Sequence, residues 1–151
     1  MAIKFYRLKE PYGCFSNFSR HPIKLEGILW PTTEHYFQAQ KYVGTDRYLQ
    51  IARAPTPRLA ADLGRDRVQP LRSDWEQVKD AVMKRCVLEK VKQHPEVMNK
   101  LLETGDEEII EDSPTDYYWG CGANGTGKNM LGKILVDIRE ELKARKVTLF
   151  P

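Results

Sequence analysis

A mainly α-helical chain, folded as a compact single-domain bundle of about six helices with a small β element near the N-terminus, is the class this sequence predicts. Three observations carry that expectation. From Pro31 onward the chain is punctuated as successive helices, with threonine, serine or aspartate ahead of the runs and glycine or proline behind them. Short β-like pieces fall in the first thirty residues and at one later stretch, so there is no alternation of strands with helices. A length of 151 residues with 41% hydrophobic content suits one core, and no compositional break divides residues 1–151.

Element by element, Ile3 to Tyr6 reads as a strand, and Ile23 to Leu25 and Ile28 to Trp30 flank Glu26-Gly27 as a tight hairpin. The stretch YGCFSNFS between them is a loop. Pro31-Thr32-Thr33 leads into EHYFQAQKY, a capped helix of about three turns that stops before Gly44, with Tyr36, Phe37 and Val43 available for burial. A second helix covers Asp46 to Arg53. Thr56-Pro57, RLAADL and Gly64 supply a cap, a first-turn proline and a glycine stop. Ser73-Asp74-Trp75-Glu76 reads as a capping box, opening a long helix through Val78, Val82, Val87 and Val91 that ends before Pro95. Glu96 to Glu103 is the next helix, closed by Gly105, and EEIIED a short strand. Met130, Leu131, Ile134, Leu135, Ile138 and Leu142 form the apolar stripe of the last helix.

The bulk chemistry narrows the function. A formal charge of +3 and pI near 8.7 suit an anionic ligand but fall short of a dedicated nucleic-acid binder. Cys14, Cys86 and Cys121 are odd in number and widely spaced, which argues against a disulfide framework or zinc site and points to a reducing, cytoplasmic setting. The first residues, MAIKFYRLKE, lack a signal-peptide core, and no stretch approaches the ~20 apolar residues of a membrane span. His21, His35 and His94 show no metal spacing, and His35 is as readily structural as functional. Neither a metal nor a cofactor is expected.

The most conspicuous stretch is WGCGANGTGKNMLG, residues 119–132. Gly120, Gly122 and Gly125 spell G-x-G-x-x-G, and Gly122, Gly127 and Lys128 spell most of a Walker A loop. Both fingerprints require a buried strand immediately before the glycines, whereas EDSPTDYYW is polar and turn-like. Asn129 also stands where a hydroxyl would bind magnesium. The glycines are better read as a tight backbone turn beside a ligand, with Asn129 capping the last helix and aiming its N-terminus into a pocket.

Other residues carry chemistry by type and spacing. Glu34, Gln38 and Lys41 lie at i, i+4 and i+7, so an acid, an amide and an amine share one helix face, and a solvated polar face is the plain alternative. Trp75 opens the long helix, where it stacks on a base or packs the core. Arg65, Arg67 and Arg72 precede it, with guanidinium forks suited to phosphate. Asp116 sits on a loop before the glycine turn, as a second carboxylate for glycosidic hydrolysis or as the anchor of an Asx-turn.

Together, GCFSNF (Gly13 to Phe18), WPTTEHYFQAQK (Trp30 to Lys41), Trp75 and WGCGANGTGKNMLG with Arg139 resemble the YbiA-like, or NADAR-domain, family over nearly the whole chain. The resemblance implies a mainly helical N-glycosidase that cleaves a ribose-to-nitrogen bond in a phosphorylated ribosyl or ADP-ribosyl ligand. The substrate is a ribosylamino-pyrimidine phosphate of riboflavin synthesis or ADP-ribosylated guanine in DNA. It implies catalytic roles for Glu34, Trp75 and Asp116, and ligand contacts at Asn17, Phe18, Gln38, Arg65, Trp119, Gly120, Gly122 and Asn129. Lys41, if burial lowers its pKa, adds a Schiff-base route. A non-catalytic module binding ADP-ribose or NAD is the alternative.

Overall fold

Six helices and four three-residue strands make up the regular structure among residues 2–149, which the computed structural model describes. In chain order they are β1 (Ile3–Phe5), β2 (Ile23–Leu25), β3 (Ile28–Trp30), α1 (Thr33–Gln40), α2 (Asp46–Ala52), α3 (Pro57–Arg65), α4 (Trp75–Gln93), α5 (Pro95–Glu103), β4 (Ile109–Glu111) and α6 (Met130–Leu149). A single 3-10 turn covers Gly13–Phe15. Contacts group the chain into two units, Asn17–His94 and Met1–Ser16 with Pro95–Pro151. No described helix is long and apolar enough to cross a membrane.

Within Asn17–His94, β2 and β3 pair antiparallel with Leu25 opposite Ile28. Glu26 and Gly27 both take positive φ, 56° and 78°, as the two-residue turn of a twisted hairpin requires. The indole of Trp30 donates to the Leu25 carbonyl and meets Tyr36 and Tyr48 edge-on. From this corner α1 runs through the middle of the unit, against α2, α3 and α4, and all eight of its residues are buried. The Thr32 hydroxyl caps it by accepting the His35 N–H. His35 is structural: its ring lies 2.7 Å from Thr32 Oγ1 and 2.9 Å from the Ala54 carbonyl, and burial lowers its pKa.

Three local expectations need correction. α1 ends at Gln40, shorter than three turns, and Val43 is 51% exposed rather than buried. Gly64 does not stop α3, which runs on to Arg65; this glycine is buried against α1. The capping box at Ser73 does not form. Asp74 occupies the N-cap position of α4 without a side-chain bond to the helix, because its carboxylate pairs with Arg72 at 2.6 Å.

In the other unit β1 and β4 pair parallel, Ile3 opposite Ile109. Phe5, Phe15, Val97, Leu101, Ile109, Leu131, Leu135 and Ile138 form its core. α6 approaches β4 closely because Gly132 has no side chain: a Cβ there would overlap the Ile109 carbonyl. Asn129, 8% exposed with φ 53°, clamps the same strand, its amide donating to the Ile109 carbonyl at 2.8 Å and accepting the Glu111 N–H at 2.9 Å. Arg139, 3% exposed, ties α6 to the Thr104 hydroxyl and the Glu107 carbonyl.

Asn129→Ala strands both β4 groups without partners, and denaturant unfolding is expected to show a loss of about 3 kcal/mol. A loss below about 0.5 kcal/mol would mean that water replaces the amide at no cost.

Candidate functional site

α1 is tied down at its start before it can present any chemistry. The backbone carbonyl of Asn17 accepts the Glu34 N–H at 3.2 Å, while its side-chain oxygen accepts the Thr33 hydroxyl at 2.8 Å. Its amide nitrogen reaches Met83 Sδ on α4 at 3.4 Å. Asn17 thus fixes where Glu34 leaves the backbone, and Phe18 beside it is partly buried.

The stripe expected on α1 is present, and it is not a solvated face. Glu34, Gln38 and Lys41 are 7%, 4% and 7% exposed, which overturns the surface alternative. Gln38 Nε2 donates to Glu34 Oε2 at 2.8 Å. An NH2 group facing a carboxylate is the orientation that lets the pair bond. The opposite amide atom, Gln38 Oε1, is buried with no hydrogen-bond donor, a state that costs about 1–3 kcal/mol.

Lys41, at the C-cap of α1, lies among aromatic rings and like charges. Its Nζ is 5.6 Å from the centre of Phe37 and 5.9 Å from that of Trp75, and these rings are themselves 5.2 Å apart. Burial lowers its pKa most, Arg67 lowers it next, Glu34 opposes them, and Arg65 and Lys79 lower it further, to about 8. An amine there is substantially neutral at mildly alkaline pH, which is the state a nucleophile needs.

Trp75 is the first residue of α4 and 7% exposed, packed on Phe37. Its N–H donates to the Arg72 carbonyl, so that amide is not available to an anion. Of the three loop arginines, Arg72 is engaged by Asp74, while Arg67 is braced by the Tyr42 hydroxyl and the Gly64 carbonyl. Arg65 is exposed at the end of α3 and close enough to act on Lys41.

Asp116, Trp119, Gly120, Gly122 and Asn129 belong to the other unit. Asp116 Oδ1 accepts the N–H groups of Tyr118 and Trp119 at 3.0 and 2.8 Å, the Asx-turn geometry, so this oxygen shapes the loop. Trp119, partly buried, meets Tyr118 edge-on. Gly122 has φ 70° and lies against the Tyr117 ring, where a side chain would collide. Gly120 is packed under the Glu111 carbonyl.

The glycine loop closes on itself. The N–H groups of Gly127, Lys128, Asn129, Met130 and Leu131 donate to the carbonyls of Cys121, Tyr117, Gly120, Tyr118 and Trp119 respectively. A phosphate cradle needs such groups unspent, so the two nucleotide fingerprints fail here on hydrogen bonding as well as on context. The expectation that Asn129 caps α6 and aims its N-terminus at a ligand is corrected too. Its side chain bonds β4, and the Met130 and Leu131 amides are already satisfied.

The sequence reading missed the part played by Gly64. A glycine inside a helical run, RLAADLGR, was the available signal, since it costs about 1 kcal/mol against alanine unless something needs the space. It also left Lys79 and Arg67 unconnected to Lys41, because charges from three separate elements converge only in the folded unit.

Comparison with known proteins points the same way. Residues 4–143 match the model of the NADAR domain. The chain is 49% identical over 146 residues to an N-glycosidase, Npun_R5314, of Nostoc punctiforme, covering 95% of this chain and 94% of that protein. It is 46% identical over 144 residues to N-glycosidase YbiA of Escherichia coli, covering 95% and 90%. The NMR structure of E. coli YbiA superposes with a TM-score of 0.90 at 45% identity, over 97% of this chain and 87% of that one. A riboflavin biosynthesis protein of Vibrio vulnificus, VVA0006, is 40% identical over 141 residues, 93% of this chain but 38% of that larger protein. With its motifs, its helices and nearly its full length matched, the chain belongs to the NADAR domain family.

Proposed function

We propose that this protein is an N-glycosidase that hydrolyses the bond between a ribose carbon and a nitrogen in a phosphorylated ribosyl or ADP-ribosyl substrate. The observation that carries this reading is the buried stripe on α1, where an oriented carboxylate shares a face with a lysine whose pKa is lowered to about 8 beside two aromatic rings. Relatives named N-glycosidase at 46% and 49% identity support it. A module that merely bound ADP-ribose or NAD would have no use for a desolvated carboxylate and a pKa-shifted amine side by side.

In the proposed reaction Glu34 activates water or stabilises positive charge developing at the anomeric carbon, and the base leaves with its nitrogen protonated. Trp75 supplies an apolar surface for the base. Arg65 and Arg67 face the phosphate, whose charge suits them. Asp116 is assigned to sugar hydroxyls or to proton sharing on the strength of the family resemblance, and Asn17, Phe18, Trp119, Gly120 and Gly122 are assigned ligand contacts on the same ground, whereas the Asn129 amide is spent on β4. Two substrates fit this chemistry. A ribosylamino-pyrimidine phosphate is favoured by the relative named for riboflavin biosynthesis, and ADP-ribosylated guanine in DNA suits the mildly basic charge of +3.

A second route has its own support in the depressed pKa of Lys41. The neutral amine attacks C1 of the ring-opened sugar, the base nitrogen takes up a proton and departs, and water hydrolyses the resulting imine to release the sugar and regenerate the lysine. Borohydride added during turnover is expected to trap a sugar on Lys41 by this route. Trapping should rise through pH 8, where the amine becomes neutral, and disappear in Lys41→Arg. Absence of any adduct while turnover continues would leave the water route.

Each substrate incubated separately with the protein is expected to release product from one of them, with Glu34→Gln slower by about 10²–10⁴-fold at little change in binding. Tight binding without product from either, unaltered in Glu34→Gln, would establish the binding module instead. Stability gives an independent check on Lys41. Its folded pKa of about 8 lies below the ordinary lysine value of 10.5, so protonated Lys41 destabilises the fold below pH 8, and the cost is relieved as pH rises from 8 to 10.5. The stability of Lys41→Met relative to wild type should therefore fall by on the order of 3 kcal/mol across that window.

A further inference from the structure

The contact between α3 and Gln38 has no role in the reaction as proposed, yet it leaves no room for a side chain at position 64. A Cβ built on Gly64 would overlap Gln38 Oε1 and lie 2.6 Å from Gln38 Cδ and 2.8 Å from Gln38 Cβ. The last distance matters most. Rotating the amide away moves Oε1 and Cδ, but Cβ is fixed to the α1 backbone, so any side chain at position 64 displaces α3 or the whole Gln38 side chain. Gly64 is otherwise ordinary helix, with φ outside the left-handed region, so backbone conformation does not require glycine there.

Gln38 is 4% exposed, and the one hydrogen bond of its side chain among the described residues is the donation to Glu34 Oε2. Its Oε1 is buried against the bare Cα of Gly64 without a donor. The packing at Gly64 confines the amide to this slot. The Gly64 carbonyl is in turn held by the Tyr42 hydroxyl and by Arg67, which steadies this end of α3 against α1.

We propose that Gln38 and Gly64 act as a positioning pair for the acid: the missing side chain on α3 makes the slot in which the Gln38 amide lies with its N–H aimed at Glu34, orienting that carboxyl group. This rests on Glu34 being the reacting carboxylate for its consequence in catalysis, but not for the geometry. Gln38 then works through Glu34 rather than by touching the ligand. An N–H donated to a carboxylate favours the charged form, so loss of the donor raises the pH at which Glu34 titrates.

The test measures the Glu34 carboxyl titration by carbon-13 NMR alongside kcat and KM. Gln38→Met keeps the size of the side chain and removes the donor. It is expected to raise the Glu34 midpoint, to lower kcat at least tenfold with KM little changed, and to shift the acid limb of the rate profile upward. Gly64→Ala should do the same although it leaves both Glu34 and Gln38 in place, and in the Gln38→Met background it should add no further shift of the midpoint. A merely structural Gly64 would lower the melting temperature and leave the Glu34 midpoint where it was, which would overturn the pairing. So would an unmoved midpoint in Gln38→Met, a measurement that stands even if Gly64→Ala does not fold. If the midpoints shift as expected while Glu34→Gln retains full turnover, the positioning pair stands and the catalytic assignment of Glu34 falls.

Discussion

Burying Glu34, Gln38 and Lys41 on one short helix is the constraint around which residues 17–94 are organised. Each polar group taken out of water must be given a partner or left at a cost of about 1–3 kcal/mol, more for a charge. The carboxylate receives the Gln38 amide, the lysine is desolvated beside Phe37 and Trp75 and its pKa falls to about 8, and the helix start is held by Asn17 and Thr32. The apolar side chains around α1 supply the opposing term. Trp30, Tyr36 and Ile51 are nearly inaccessible, and Ala60 and Ala61 of α3 keep that helix close enough to seal the stripe.

Closeness explains the composition of α3. Its inward residues, Ala60, Ala61 and Gly64, are the smallest available, so the two backbones approach at the Gln38 level. The same device recurs in the other unit, where Gly132 lets α6 reach β4. In both places a glycine inside a helix gives up intrinsic helix stability in return for a contact that no side chain would permit.

This is also where the sequence ceased to be legible. Caps at Thr32 and Thr56, the Glu26-Gly27 hairpin and the end of α4 before Pro95 are local signals, resolved within a few residues, and they were read correctly. The acid-amide-amine spacing on α1 was equally visible, but whether that face met solvent was not, because burial depends on α2, α3 and α4 arriving around it. Gly64 looked like a stop for the same reason: without α1 in view a helical glycine resembles a terminus. Ser73 looked like a cap because the Arg72–Asp74 pair that occupies the turn is a side-chain contact no capping pattern encodes. The glycine loop was correctly read as no nucleotide fingerprint from the missing strand, but that Met130 and Leu131 at the start of α6 spend their amides on the carbonyls of Tyr118 and Trp119 is a feature of the fold alone.

The charges around Lys41 constrain the mechanism. Arg67, Arg65 and Lys79 all lower its pKa, while Glu34 raises it. A substrate phosphate settling on Arg67 and Arg65 would cancel much of their effect and raise the pKa of Lys41 back toward its ordinary value. Phosphate on these arginines therefore favours the route in which Glu34 works beside a charged lysine that steadies an anionic ligand. The imine route needs the opposite arrangement, with the phosphate held away from Arg67 so that Lys41 keeps its lowered pKa as C1 arrives. Because burial is the largest cause of the shift and persists when a ligand excludes water, the amine keeps part of its depression in either case. On the proposed chemistry, the position of a substrate phosphate relative to Arg67 would then be the physical variable that selects between water and lysine as the attacking group.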